Sequence, residues 1–305
     1  MNSPITKSKN VTLLNQFNVE LIINRWSNEF HIDIRDEFTK DLETIELYKC
    51  NDSELMFFEP KIAGSPSLYK KLHDTFYWYY LEEKWEYKVA LKELDNSKNI
   101  IEIGCGKGTF IAEYLKKKNN SKIIGLDTNS NAVAQANDNK LPVFDLYLSD
   151  FLIQNPDFHS DAILAFQVLE HISDPIPFLD NLIKSLSIGG KLILCVPNQD
   201  CFYKYSDELL DMPPHHITKW SINTFKFLEN LFPIKLKTIK TEPLFEMHIN
   251  GWFHNTSKFY RTNKWYGKLI FNRITNPIII SALSRKNIRK LIKGHTLYVS
   301  FEKTS

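Results

Sequence analysis

The sequence predicts an α/β protein built on a Rossmann-like, doubly wound sheet. Three observations carry that reading. The run Ile100-Ile101-Glu102-Ile103 leads into Gly104-x-Gly106-x-Gly108, and a helical pattern opens at Thr109. Short apolar strands then recur at Lys122–Leu126, Val143–Leu148, Ala162–Phe166 and Lys191–Val196, with helical or turn-rich segments between them. Alternation of this kind gives a largely parallel sheet covered by helices on both faces.

Before residue 95 the pattern differs. Residues 1–17 are polar with scattered apolar positions and read as a loose lead. Val19, Leu21, Ile22, Ile23 and Trp26 predict an amphipathic helix from Asn18 to Phe30. Ile45–Cys50 and Leu55–Phe58 flank Asn51-Asp52-Ser53 and predict a hairpin. After the breakers Pro60 and Gly64-Ser65-Pro66, helices are expected over Ser67–Tyr80 and Glu82–Leu94. The cluster Tyr77-Trp78-Tyr79-Tyr80 either packs the second helix on the next domain or covers a site as a lid. The expected division is a helical lead with a short hairpin, residues 1–94, and a ligand-binding domain, residues 95–305.

Composition narrows the class. The 305 residues are 43% apolar and 24% charged with a net charge of +2, values of an ordinary globular protein with no global field for nucleic acid or membrane. Cys50, Cys105, Cys195 and Cys201 form no Cys-x-x-Cys pair, so neither a disulfide framework nor a zinc ribbon is expected. No window reaches the roughly 20 apolar residues of a spanning helix, and no signal-peptide pattern opens the chain. A cytoplasmic protein is expected.

Ligands of doubly wound sheets sit at the carboxyl ends of the strands, near the switch point. Strand one ends in Glu102 and the glycine turn, where positive φ and close backbone approach require glycine. Helix-opening N–H groups there suit an anionic ligand group. Strand two ends in Asp127, 19 residues after Gly108, where a carboxylate can accept from two ribose hydroxyls. Strand three runs out through Tyr147-Leu148-Ser149-Asp150-Phe151, strand four through Gln167-Val168-Leu169-Glu170-His171. Strand five runs from Gly189-Gly190 to Pro197-Asn198.

These matches, in order over about residues 98–200, resemble the class I S-adenosylmethionine (SAM) dependent methyltransferases, and within them the ubiquinone-biosynthesis type. The resemblance implies a seven-stranded sheet, SAM as cofactor, and a cofactor site made of Glu102, Gly104, Cys105, Gly106, Gly108, Asp127, Thr128, Asp150, Phe151 and Gln167. Asp150 would meet the adenine amino group, with Phe151 beside the ring. A nicotinamide dinucleotide is the competing cofactor; the third glycine falls at the wrong spacing for it, and Glu102 would crowd its pyrophosphate. Lys84-Trp85-Glu86 also matches a segment near the cofactor in these relatives.

Methyl transfer to a hydroxyl needs alignment and a base. The candidates are His171 and, on a loop stiffened by Pro213-Pro214, His215 and His216; Ser221 is read as the cap of the helix that follows. Some small-RNA ribose and quinone-ring methyltransferases bind a metal through Glu-x-x-Glu-His after strand four. Gln167 replaces the first carboxylate, which weakens a hard-cation site; a His-rich site with His215 or His216 stays open, and no metal ligands are assigned. Ser53 likewise stands where relatives with a zinc module carry a second cysteine after Cys50.

Ile234–Ile239 and Thr296–Phe301 predict the last two strands, antiparallel in this family, around an insertion at about residues 245–294. From Lys258 to Lys293 there are ten Lys or Arg and no Asp or Glu, interleaved with Phe259, Tyr260, Trp265, Tyr266 and Phe271. This segment is a candidate for gripping an anionic acceptor or lying on an anionic membrane; nucleic acid is the less favoured partner. The N-terminal lead combined with Pro-Pro-His-His resembles methyltransferases of polysaccharide biosynthesis. A sugar or sugar-nucleotide hydroxyl is therefore the first expected acceptor, a quinone-like hydroxyl the second and an RNA ribose the third. A non-catalytic binding module of the same fold is the reading from a different class.

Overall fold

The computed structural model describes residues 1–76, 83–117, 122–156 and 158–305. The Tyr77–Tyr80 cluster lies outside the described residues.

The chain begins with strand β1 (Val11–Asn18) and helix α1 (Val19–Phe30), then β2 (Thr44–Cys50), β3 (Met56–Glu59), α2 (Pro66–Thr75) and α3 (Trp85–Glu93). The Asn18 side chain accepts from Leu21 N–H at 3.0 Å and caps α1. The helix buries Val19, Ile22, Ile23 and Trp26 in a core shared with Ile45, Phe58, Leu68 and Leu72. The lead is therefore more than a helical cap. Residues 11–17, expected to be loose, lie with Asn18 in a strand that pairs antiparallel with β2 from Val11–Cys50 to Asn18–Thr44. Their side chains are mostly exposed, so no apolar face announced the strand; pairing with β2 makes it.

The second sheet follows. Its parallel strands are β4 (Asn99–Ile103), β5 (Lys122–Asp127), β6 (Val143–Asp145), β7 (Ser160–Phe166) and β8 (Leu186–Pro197). Between and beside them lie α4 (Thr109–Lys117), α5 (Ser130–Asp138), α6 (Leu148–Gln154) and α7 (Pro175–Lys184). After the two-residue β9 (Thr218–Lys219) come α8 (Ile222–Phe227), capped by Ser221, and β10 (Ile234–Pro243). The insertion carries α9 (Ile249–Asn263), α10 (Gly267–Ile270), α11 (Thr275–Leu283) and α12 (Lys286–Arg289), and β11 (Lys293–Lys303) ends the sheet.

The sheet order is β10-β11-β8-β7-β4-β5-β6, with β11 antiparallel to both neighbours. The inner strands bury both faces: Ile101, Ile163, Leu192 and Leu194 face one core cluster, Ile100, Leu164 and Ile193 the other. That is why they read as continuous apolar runs. The chain winds outward from β4 to β6, then returns to β7 beside β4. The switch point thus lies between the carboxyl ends of β4 and β7.

Strand β6 stops at Asp145, short of the expected Leu148. Leu148 and Phe151 are buried three residues apart while Tyr147 is exposed, a helical rather than alternating pattern. Asp150 therefore sits in the first turn of α6, exposed to solvent, rather than on a strand exit.

β9 joins the first sheet, whose order is β1-β2-β3-β9, through Met56–Lys219 and Phe57–Thr218. The insertion is anchored through a small core of Cys201, Phe202, Leu244 and Leu283 and through Tyr205 stacked on Phe259 at 4.2 Å. Arg289, buried, donates to the carbonyls of Leu283 and Ser284 and to Glu246, so it fixes the insertion rather than serving its surface.

Candidate active site

Three neighbouring strand ends build the first half of the site. Ile103 of β4 lies in register with Leu126 of β5 and Ala165 of β7, so the residues that follow them converge. Gly104, Gly106 and Gly108 have φ of 67°, 54° and 74°. A Cβ on Gly104 would stand 2.5 Å from Val168 Cγ2, and one on Gly108 2.9 Å from Leu141 Cδ1. Conformation and space both exclude a side chain there. Asp127 ties the turn down: Oδ2 accepts from Gly106 N–H at 2.7 Å and Oδ1 from Asn129 N–H at 2.8 Å. Each oxygen keeps a second lone pair for a ligand hydroxyl.

Glu102 is 2% exposed, and its Oε2 has no hydrogen-bond partner among the described residues. Burial raises its pKa to about 8, against the pull of Lys84 and with a push from Asp127. A buried acid without a partner beside a side-chain-free turn suits a ligand carrying positive charge. SAM, with its sulfonium and ammonium groups, is such a ligand, and the residues present fit it. Cys105 is buried in the second core cluster, its thiol pushed far up by burial. Thr128 is exposed just beyond Asp127. Phe151 packs edge-on against Phe158 in the core, at 5.2 Å. Phe151 is buried there, and Asp150 is exposed on α6. Gln167, at the end of β7, holds φ of 57°, a strained conformation for a side-chain-bearing residue, while its N–H donates to Cys195 C=O at 2.8 Å.

The Glu102 environment makes a linkage prediction. An acid whose folded pKa is raised contributes stability that is complete below its unfolded pKa and is lost as pH rises through the folded value. The ligand-free chain should lose melting temperature between about pH 5 and 8 relative to Glu102→Gln. A bound cation reverses the preference, so SAM binding near pH 7 should release protons. Calorimetric titration in buffers of different ionisation enthalpy checks this; equal proton release in wild type and Glu102→Gln would refute it.

The second half of the site lies beyond β7. Leu169–His171 form a 3-10 turn, and the loop carrying Pro213-Pro214 returns onto it: Ile217 N–H donates to Glu170 C=O at 2.9 Å. The three candidate bases meet here. Ring centroids are 5.0 Å apart for His171 and His215, 4.8 Å for His171 and His216, and 4.3 Å for His215 and His216. Each ring is held through Nδ1. His171 Nδ1 lies 2.6 Å from His215 C=O, His215 Nδ1 2.8 Å from Leu210 C=O, and His216 Nδ1 3.3 Å from Asp211 Oδ1. Carbonyl and carboxylate oxygens only accept, so each Nδ1 carries the proton and each Nε2 the lone pair. Tyr69 O–H also reaches His171 Nδ1 at 3.0 Å; with that nitrogen protonated, the hydroxyl instead donates to His215 C=O at 3.5 Å.

Burial keeps the rings neutral. It lowers His171 to about 3, helped by His216; it holds His215 well below the usual range, and lowers His216 despite Asp211. Burial also raises Glu170 to about 8. Glu170 Oε1 lies 4.0 Å from His171 Nε2 and 3.9 Å from His216 Nε2, but with all partners neutral these are not ion pairs. Burial works upward on Asp211 too, yet Lys219 at 2.7 Å and His216 outweigh it and hold that carboxyl well below the usual range.

Glu170 and Asp211 were not among the site residues the sequence singled out. Glu170 was visible as the second acid of a Glu-x-x-Glu-His pattern whose first position is Gln167. Asp211 carried no signal, because its place beside His216 is made by the 3-10 turn Leu209–Asp211 folding back. Lys84 sits where its charge acts on both Glu102 and Glu170.

A parallel sheet with a reversed strand next to its last parallel one, a positive-φ glycine turn at the switch point and an acid ending the adjoining strand define a class I SAM-dependent methyltransferase. A family model described as a methyltransferase domain matches residues 77–233, more than half of the chain. The chain belongs to that methyltransferase family, and its cofactor is SAM. Among curated relatives, the mitochondrial ubiquinone biosynthesis O-methyltransferase of Dictyostelium discoideum is 29% identical over 126 residues, 37% of this chain and 39% of that protein. Malonyl-[acyl-carrier protein] O-methyltransferase 1 of Ilyobacter polytropus is 27% identical over 219 residues, 67% and 80% of the two chains. The chain spans about two fifths of the length of the Dictyostelium relative. A SAM-dependent methyltransferase from Archaeoglobus fulgidus aligns with TM-score 0.45 at 20% identity, over 75% of this chain and 100% of that one.

Proposed function

We propose that the chain transfers the SAM methyl group to a hydroxyl of a small anionic acceptor, a sugar nucleotide before others. The cofactor supplies an already activated methyl group; the chain's own residues supply alignment. In this reading Glu102, the three glycines with Cys105, Asp127 with Thr128, Asp150, Phe151 and Gln167 line the cofactor, and the acceptor oxygen lies toward His171, His215 and His216. Neutral imidazoles with the lone pair on Nε2 can accept a hydroxyl hydrogen bond and orient the oxygen for in-line attack.

One observation carries the choice of acceptor. Nine of the ten cations between Lys258 and Lys293 are exposed, with no acid among them, and a cleft lined by His254, Ser257, Lys258, Arg261, Thr262 and Lys268 opens on α9 and α10. Three cationic groups, Lys258, Arg261 and Lys268, beside hydroxyl donors suit a diphosphate. A quinone-like hydroxyl acceptor without phosphate would offer no diphosphate charge. Quinone-like and RNA ribose hydroxyls remain the alternatives to test.

The test is release of S-adenosylhomocysteine with a panel of nucleotide sugars, an ortho-diphenol, a short RNA and malonyl-acyl carrier protein. Turnover with a nucleotide sugar, and loss of most of it in Lys258→Ala/Arg261→Ala, is the expected result. Turnover with the diphenol alone would sink the sugar reading. The same segment exposes Trp265, Ile274 and Leu291 at 85%, 79% and 85%. Should the chain sediment with phosphatidylglycerol vesicles and the double variant keep full turnover, the cations serve a membrane surface instead. Among the described residues no helix is long and apolar enough to cross a membrane.

A further inference from the structure

The C-terminal insertion is rooted on the rim of the sheet that carries the cofactor half. β11 runs antiparallel to β8, so it starts where β8 ends, and β10, antiparallel to β11, ends at the same rim. Residues 244–292 therefore rise from that rim, on the side of β7 away from β4. The two roots bring two histidines together. His248 lies in the 3-10 turn Glu246–His248, and His295 lies near the start of β11, with ring centroids 5.8 Å apart. Tyr203, in the 3-10 turn Phe202–Tyr205 after β8, completes the group, 5.4 Å from His295 and 6.2 Å from His248, edge-on to both. Phe202 and Phe245 flank His248 at 6.1 and 6.0 Å.

Two polar atoms on this part of the rim are unused. His248 Nδ1 and Gln199 Oε1 are buried and have no hydrogen-bond partner among the described residues. Buried polar atoms are costly to leave so, and a ligand is one way to satisfy them. Gln199 is fixed beside the histidine loop: its N–H donates to Trp220 C=O at 3.2 Å, and Asn198 bridges to Trp220 in parallel. The group therefore adjoins the β7 exit, and Asp211 and His216 act electrostatically on His295. Burial holds His248 below the ordinary range and takes His295 down to about 4. A neutral imidazole has one N–H and one lone pair, and an amide oxygen accepts. That set complements hydroxyls, which both donate and accept, and the flanking aromatic rings offer flat apolar walls.

We propose that His248, Gln199, His295 and Tyr203 form a subsite that holds the hydroxylated ring of the methyl acceptor. The subsite rests on the acceptor reading above, in which a hydroxyl lies beside His171, His215 and His216. His248 and Gln199 then select which ring hydroxyl turns toward the methyl group, while the cationic cleft on α9 and α10 takes the charged part of the molecule.

Protein saturated with S-adenosylhomocysteine is titrated calorimetrically with UDP, UDP-glucose and catechol. UDP-glucose is expected to bind about tenfold more tightly than UDP. His248→Phe keeps a ring and removes its nitrogens; Gln199→Leu keeps the bulk and removes the acceptor. Each should erase most of the glucosyl gain, about 5- to 10-fold, with UDP affinity and melting temperature kept. In turnover, each should raise KM for a nucleotide sugar and leave KM for SAM unchanged. A glucosyl gain that survives both variants overturns the subsite. Where the glucosyl group adds nothing, or neither nucleotide binds, catechol decides. Catechol binding weakened in both variants sustains the subsite with an aromatic ring as its occupant; catechol binding that is absent, or unchanged in the variants, overturns it. Failure of both nucleotides removes the sugar-nucleotide reading whatever catechol does.

Discussion

Asp127→Ala should abolish measurable SAM binding at micromolar concentrations. Two effects add. The ribose loses its acceptor, and the glycine turn loses its tie, because the Asp127 carboxylate holds both Gly106 N–H and Asn129 N–H. Hydrogen bonds to a charged group contribute about 1.5–3 kcal/mol each. Each 1.4 kcal/mol is a factor of ten. An affinity loss of about 100- to 1,000-fold follows if only part of this reaches the ligand. Calorimetric titration measures it, and a circular dichroism melt shows the fold retained with a lowered melting temperature. Asp127→Asn keeps one acceptor oxygen and should fall between the two. Wild-type SAM affinity in Asp127→Ala would remove this residue from the cofactor site. Loss of affinity together with loss of the protein's cellular role would also set aside a non-catalytic binding module.

Gly104→Ala should be nearly as severe for a different reason. Its φ of 67° costs a side-chain-bearing residue about 1–2 kcal/mol. The added Cβ would also stand 2.5 Å from Val168 Cγ2, and overpacking of that kind costs about 1–3 kcal/mol more. The turn must shift away from β7, and SAM binding should weaken by about 100-fold. The double variant Gly104→Ala/Val168→Ala removes the clash and leaves the dihedral strain. Recovery of about tenfold in affinity, short of wild type, is expected. Full recovery would show that φ does not matter at this position; no recovery would show that the clash does not.

The sheet was legible because its inner strands are buried on both sides. Ile100–Ile103, Ala162–Phe166 and Lys191–Val196 are apolar apart from Glu102 and Lys191, a pattern that suits that environment, and the glycine turn fixed where the first one ends. Helix α1 was legible from Asn18 and a buried stripe. What escaped notice is what other segments impose. Val11–Asn18 is a strand because β2 pairs with it, with no apolar face of its own to betray it. The short β6 yields to a helix whose two buried residues read equally well as strand ends. At the site, the cofactor half follows the chain locally, so the spacing of glycines and acids conveyed it. The histidine cluster joins residues 44 and 45 positions apart, His171 with His215 and His216, and its acids are recruited by packing. Proximity across a fold has no signature in a single sequence beyond the residue types themselves.

The pairing of β3 with β9 has a consequence for the lineage of this chain. The strand that follows His215 and His216 completes a sheet begun by the N-terminal segment, and Phe58 N–H donates to Ile217 C=O at 2.9 Å. Residue 94 is therefore no seam along which modules could be shuffled. A recombination event that replaced residues 1–94 with the cap of another methyltransferase would import a strand edge without its matching β9. It would leave unpaired backbone at the edge of one sheet and free the histidine loop from the other. An exchange of the cap alone would therefore cost the first sheet its match with β9.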